Sequence, residues 1–153
     1  MSRVTASIEI AAPPRDVWDV VMDPDRLGDW VSIHRAVEKV SDRPLRAGAT
    51  LDQRLCLRGV SFHVRWKVAE VRDGELAVWE GRGPARSRAH TAYRLARGEN
   101  GGTRFQYENE FKAPLGPLGA VASRALVGGL PEREAHATLG NLKRVVEGAD
   151  QPS

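Results

Sequence analysis

From Ser32 to Lys112 the chain reads as one β-strand after another, and that run constrains the fold more than any other feature of the sequence. In SFHVRWKVAEV, Phe62, Val64, Trp66 and Val68 fall on one face, with His63, Arg65 and Lys67 on the other. In TLDQRLCLR, Leu51, Gln53, Leu55 and Leu57 alternate with Asp52, Arg54, Cys56 and Arg58. A period of two is what a strand with one buried face produces. HRAVEKV precedes these two segments, and ELAVWEGRG, SRAHTAYRLA and TRFQYENEF follow them. Arg58-Gly59-Val60-Ser61, Asp73-Gly74 and ENGG are short turn signals, and SDRPLRAG is a longer turn. Connections of hairpin length place successive strands side by side and antiparallel.

The flanks complete the pattern. Val4, Ala6, Ile8 and Ile10 alternate with Thr5, Ser7 and Glu9, giving a seventh strand at the N-terminus. Pro13 and Pro14 end it, and Pro14 suits the first turn of a helix, where a missing N–H costs nothing. That helix, RDVWDVVM, puts Val17, Val20 and Val21 on one face; Asp23-Pro24-Asp25 breaks it, and DRLGDW reads as a second short helix. After Lys112 the period changes. Leu118, Val121, Ala122, Ala125, Gly129, Ala135, Leu139, Leu142 and Val146 recur at helical spacing, interrupted at Gly128-Gly129-Leu130-Pro131, where Pro131 removes a helical hydrogen bond. The expected fold is therefore α+β. A seven-stranded curved antiparallel sheet wraps a long C-terminal helix, and two short helices follow strand 1. The expected organisation is one domain over residues 1–148, with 149–153 as a disordered tail.

Composition narrows the function classes. A chain of 153 residues with 41% hydrophobic content can bury a sizeable core. The net charge is only +3, and the 20 acidic residues are spread among the basic ones, which argues against a dedicated nucleic-acid binder. Cys56 is the only cysteine, so neither an intrachain disulfide nor a thiolate metal cage can form. His34, His63, His90 and His136 lack the spacing of a metal site, so no metal and no cofactor is expected. MSRVTASIEIAAPP has no apolar signal region and no apolar run reaches membrane-spanning length, so the expected compartment is the cytoplasm.

Three stretches carry a resemblance: the opening SIEIAAPPRDVWDVVMDPDRLGDW with WVSIH after it, the segment NEFKAPLGPLG, and a closing helix that ends LGNLKRVVE. With the element order, they make the chain resemble the Bet v 1/START-like (SRPBCC) superfamily, and within it the bacterial polyketide cyclase/dehydrase-type proteins. The resemblance covers nearly the whole chain. It implies a helix-grip fold with a cavity between sheet and helix for a small hydrophobic molecule such as a polyketide, lipid or aromatic metabolite. The scaffold serves many chemistries, so the fold alone does not select one. Resembling cyclases polarise the ketide with an arginine and a tyrosine, for which Tyr107 or Tyr93 with Arg86 or Arg82 would be the equivalents. DWVSIH with PLGPLG also resembles a subgroup known as toxin components of toxin–antitoxin pairs.

The residues themselves supply a candidate lining. A bent sheet cannot be filled along its whole length by one helix, and such clefts are favoured ligand sites. By alternation the lining comprises Gln53, Leu55, Leu57, Phe62, Val64, Trp66, Trp79, Thr91, Tyr93, Phe105, Tyr107 and Asn109, with Trp30 closing the second short helix at the expected mouth. Leu118, Ala122, Ala125 and Gly129 would face them from the long helix. Buried Tyr, Asn and Gln need hydrogen-bond partners, either one another across the strands or oxygen atoms of a ligand. The first reading is a binder of a small hydrophobic molecule. The alternative is an aromatase/cyclase or dehydratase-type enzyme in the same cavity, with Tyr107, His34 and Arg86 as candidate catalytic groups; an interaction protein with a homodimeric or other protein partner is the third.

Overall fold

Seven strands form where the alternation places them. In chain order they are β1 (Ser2–Ile10), β2 (His34–Glu38), β3 (Thr50–Leu57), β4 (Val60–Arg72), β5 (Leu76–Arg82), β6 (Arg88–Arg97) and β7 (Thr103–Lys112). The structure, a computed structural model, describes residues 2–57, 59–83, 86–112 and 130–149. One sheet contains all seven strands, in the order β1-β7-β6-β5-β4-β3-β2, and every pairing is antiparallel. The hairpin signals lie where expected: Gly59 and Gly74 have positive φ of 79° and 73°, the region in which glycine avoids the penalty a Cβ would bring. Between β6 and β7, Asn100 and Gly101 take φ of 55° and 77°.

Two short helices lie between β1 and β2. Helix α1 (Pro14–Val21) starts on Pro14 and buries Val17, Trp18, Val20 and Val21. It stops before Pro24, whose ring disfavours a helical residue ahead of it; Asp23 is extended and its side chain accepts from the Asp25 N–H at 3.0 Å. Helix α2 (Leu27–Trp30) buries Leu27 and Trp30. The C-terminal helix α3 (Leu130–Ala149) turns Ala135, Thr138, Leu139, Leu142 and Val146 inward. Its hold on β1 is polar as well as apolar: Lys143 donates to the Glu9 carbonyl at 2.9 Å, and the Ala11 N–H donates to Glu147 at 2.9 Å. His136 of this helix is exposed. Leu118, Ala122, Ala125 and Gly129 lie outside the described residues. No helix among the described residues is long and apolar enough to cross a membrane.

A curved sheet holding a helix across its concave face is the helix-grip arrangement. The core is not spread evenly over that face. Ile10, Phe105, Leu95, Ala77, Val68 and Leu51 from the sheet meet α1, α2 and the later turns of α3 in one cluster. Along β7 the inward residues go from fully buried at Phe105 to partly accessible at Tyr107, Asn109 and Phe111. One end of the concave face is thus packed solid, and the other end carries the polar residues.

The outward face is charged, as the alternation requires. Arg54, Arg65, Arg88, Arg94 and Arg104 are exposed. Two of them form close ion pairs: Arg65 binds Asp52 at 2.8 Å and Arg104 binds Glu9 at 2.7 Å. Exposed pairs of this kind contribute about 0–1 kcal/mol each.

Candidate functional site

An aromatic wall runs across the middle of the concave face. Trp66 meets Trp79 edge-on with ring centroids 6.4 Å apart, and Trp79 meets Tyr93 at 6.2 Å. Tyr93 then stacks on Tyr107 at 6.1 Å, tilts against Phe105 at 5.6 Å and takes Trp30 edge-on at 5.7 Å. Cross-strand register produces the wall: Trp79 faces Thr91 across β5–β6, and Tyr93 faces Tyr107 across β6–β7. The β4–β5 register pairs Trp66 with Gly81, and a Cβ on Gly81 would lie 2.8 Å from the Trp66 ring and from Val64. Glycine at that position is what lets the indole lie flat across the neighbouring strand.

Polar groups are set into this wall in two states. Some are paired within the protein. The Trp66 indole N–H donates to Gln53 Oε1 at 2.9 Å, and Gln53 Nε2 lies 2.9 Å from His34 Nδ1. Thr91 Oγ1 donates to Asn109 Oδ1 at 3.0 Å. Others have no partner. Among the described residues, the indole N–H groups of Trp30 and Trp79 are buried without an acceptor, and neither tyrosine hydroxyl has a hydrogen-bond partner. A buried donor left unpaired costs roughly 1–3 kcal/mol, so each of the two indoles is a standing demand for an acceptor.

Electrostatics keeps these donors protonated. Burial pushes the Tyr107 hydroxyl up to about 12, and Tyr93, more deeply buried and beside Tyr107, higher still. Burial lowers His34 below its ordinary 6.5. The unfolded chain therefore takes up a proton near 6.5 that the folded protein refuses, and stability should fall as pH drops through that value and level off below the folded one. His34→Gln should flatten this part of the pH–stability profile, measured by urea titration. An unchanged slope in the variant would mean that another group is its source.

Most of the residues expected to line a cavity do share this face. Gln53, Leu55, Val64, Trp79, Thr91, Tyr93 and Phe105 are buried, and Phe62, Trp66, Tyr107 and Asn109 are partly accessible. The side chain of Leu57 is outside the described set, as are Leu118, Ala122, Ala125 and Gly129 on the helix. Trp30 is not at a mouth: it is 1% exposed, packed against Tyr93 and Phe105, and its carbonyl accepts from Asn141 of α3. Arg86 and Arg82 are exposed, so neither joins the tyrosines; Arg86 sits in the β5–β6 connection with φ of 67°. Among the described residues no group of three or more His, Cys, Asp or Glu could hold a metal ion.

His34 reaches the site through an irregularity that alternation cannot show. Val37 pairs with Gln53 and His34 with Leu55, and the register shifts between His34 and Ala36. The extra residue, Arg35, is exposed, so both Val37 and His34 turn inward. Counting by twos from Val37 would have sent His34 to the outer face. A depression of about 530 Å³ lies across β1, β7 and β6, lined by Thr5, Ser7, Ala92, Arg94, Gln106 and Glu108 together with Ala6, Tyr107 and, from α3, His136.

Comparison with known proteins agrees with this geometry. A family model described as polyketide cyclase/dehydrase and lipid transport matches residues 1–147. The curated protein Toxin Rv0910 of Mycobacterium tuberculosis is 23% identical over 127 residues, covering 82% of this chain and 88% of its own. Among solved structures, the Zhui aromatase/cyclase from Streptomyces sp. R1128 superposes with a TM-score of 0.78 at 15% identity, over 98% of this chain and 96% of that one. Ara h 8.0201 does so with 0.65 at 12% identity, over 96% and 98%.

Proposed function

The chain belongs to the polyketide cyclase/dehydrase and lipid transport family within the Bet v 1/START-like superfamily, and from that premise we propose that it binds a small, mostly apolar molecule bearing carbonyl or hydroxyl oxygens, held between the aromatic wall and the C-terminal helix. The observation that carries this reading is the set of unpaired donors in an apolar surface. Trp79 Nε1 and the hydroxyls of Tyr93 and Tyr107 lie within one continuous run of rings, and all three can donate. A purely structural core would have matched them to acceptors or replaced them with phenylalanine or leucine. An oxygenated polyketide, lipid or aromatic metabolite supplies acceptors and apolar area together.

Native mass spectrometry of the purified protein, compared with denaturing conditions, tests the reading. A small molecule that leaves on denaturation would support it and report the ligand class. An apo mass, joined to unquenched tryptophan fluorescence on titration with naphthol and fatty-acid panels, would overturn it. With a bound oxygenated compound in hand, Tyr107→Phe should weaken affinity by ~1 kcal/mol, about fivefold, through loss of one hydrogen bond. Equal affinity for the two proteins would take Tyr107 out of the contact set.

Catalysis in the same cavity is the second reading. Of the concave-face groups named above, only His34 and the two tyrosines titrate, and the tyrosines stay neutral. They can polarise a carbonyl by donating to it, but neither can serve as a base near neutral pH. With Arg82 and Arg86 exposed, the arginine of the cyclase-like pattern has no counterpart at these two positions, which favours binding over turnover. The toxin name of the Rv0910 relative supports a third reading, docking of a partner chain, with the β1–β7–β6 depression as the candidate surface.

A further inference from the structure

The three-residue chain Trp66–Gln53–His34 has a fixed polarity. An indole N–H can only donate, so the Gln53 atom facing Trp66 must be its carbonyl oxygen. The amide nitrogen then faces His34, and an amide NH₂ can only donate, so His34 Nδ1 must accept. A neutral imidazole that accepts at Nδ1 carries its proton on Nε2. Reversing the amide would set NH₂ against the indole N–H and lose that bond at a residue only 6% exposed, so the Trp66 contact fixes the amide and with it the role of His34 Nδ1. Nε2 has no hydrogen-bond partner among the described residues. Its neighbour Cδ2 lies alongside Gly28 of α2, where an added Cβ would stand 3.4 Å away.

We propose that His34 is the ligand-orienting group of this site: a neutral imidazole, locked by Gln53 and Trp66 with its proton on Nε2, that donates to a carbonyl or hydroxyl oxygen of the bound molecule. The bulge at Arg35 turns His34 inward, and the relay then decides which of its nitrogens faces the ligand. The lowered proton affinity of His34 is consistent with this arrangement, because protonation at Nδ1 would press an N–H against the Gln53 NH₂. His34 is thus a donor and never a base through Nδ1. This role rests on the binding function proposed above, whereas the tautomer does not.

Two measurements separate the layers. In protein labelled with ¹⁵N-histidine near neutral pH, long-range ¹H–¹⁵N spectra should show His34 as the Nε2–H tautomer. Gln53→Glu, whose carboxylate accepts from both neighbours, should switch His34 to Nδ1–H or to the protonated ring. If that variant fails to fold, Trp66→Phe should release the amide and give a mixture of tautomers. Wild-type Nδ1–H would overturn the relay. For the ligand, 2-acetylnaphthalene and 2-ethylnaphthalene differ in one carbonyl. Wild type should prefer the ketone about fivefold, and His34→Phe should bind both equally while still binding 2-ethylnaphthalene. Equal affinity of wild type for the two compounds would overturn the role of His34 and leave the binder reading standing. Binding of neither would overturn both the binder reading and the orienting role, whatever the tautomer.

Discussion

Gly81→Val should destabilise the protein by about 3 kcal/mol, although it changes one small residue in a strand that favours β-branched side chains. By propensity alone the substitution would be mildly stabilising. Packing reverses the sign, because the new Cβ would meet Trp66 and Val64 at 2.8 Å and the atoms it meets in Trp66 belong to the body of the ring rather than its tip. The indole must move, and its N–H then leaves Gln53. Urea titration followed by circular dichroism gives the stability change, and the indole N–H resonance of Trp66 reports the displaced ring. A variant as stable as wild type, with that resonance unmoved, would show that the strands separate more easily than this geometry implies. Gly81→Ala should fall between the two.

Trp30→Ala should cost roughly 3–5 kcal/mol, the usual range for emptying a buried aromatic site. Trp30 is 1% exposed and joins three layers, with Tyr93 and Phe105 of the sheet on one side and an Asn141 bond to its carbonyl on the other. Trp30→Phe should cost much less than the volume change suggests, because it also removes an indole N–H that is buried without an acceptor among the described residues. Thermal melts of the two variants, with and without a bound oxygenated compound, distinguish packing from ligation. If Trp30→Phe loses affinity far out of proportion to stability, its N–H is a ligand contact as well.

The fold was legible because it depends on periodicity. Alternation over the strands places Val64, Trp66, Leu51 and Tyr93 inward without reference to anything distant, and the structure has them there. The site was legible in its composition and less so in its wiring. Gln53, Thr91 and Asn109 were recognisable as inward polar residues, but which would pair within the protein depended on register, and Gln53 reaches partners on both neighbouring strands. His34 required a bulge that no count by twos can foresee. Arg82 and Arg86 were carried over from a family pattern, and outward register on β5 and a surface turn leave both in solvent.

The strand order carries a consequence for how the molecule assembles. Strands β2 to β7 pair in sequence, each with the next, so every one of those ladders closes a short loop. β1 alone pairs with a strand from the far end of the chain, residues 2–10 against 103–111. Loop closure on that scale carries the largest entropy cost in the sheet, and contacts of high sequence separation form slowly. The meander is therefore expected to acquire protection first, with β1 and the helix strapped to it by Lys143 and Glu147 arriving last. Pulsed hydrogen exchange during refolding should find β4 and β5 amides protected before those of β1. Until that final strand docks, the aromatic wall stands open on the side where α3 will lie, and its rings meet solvent before they meet the helix.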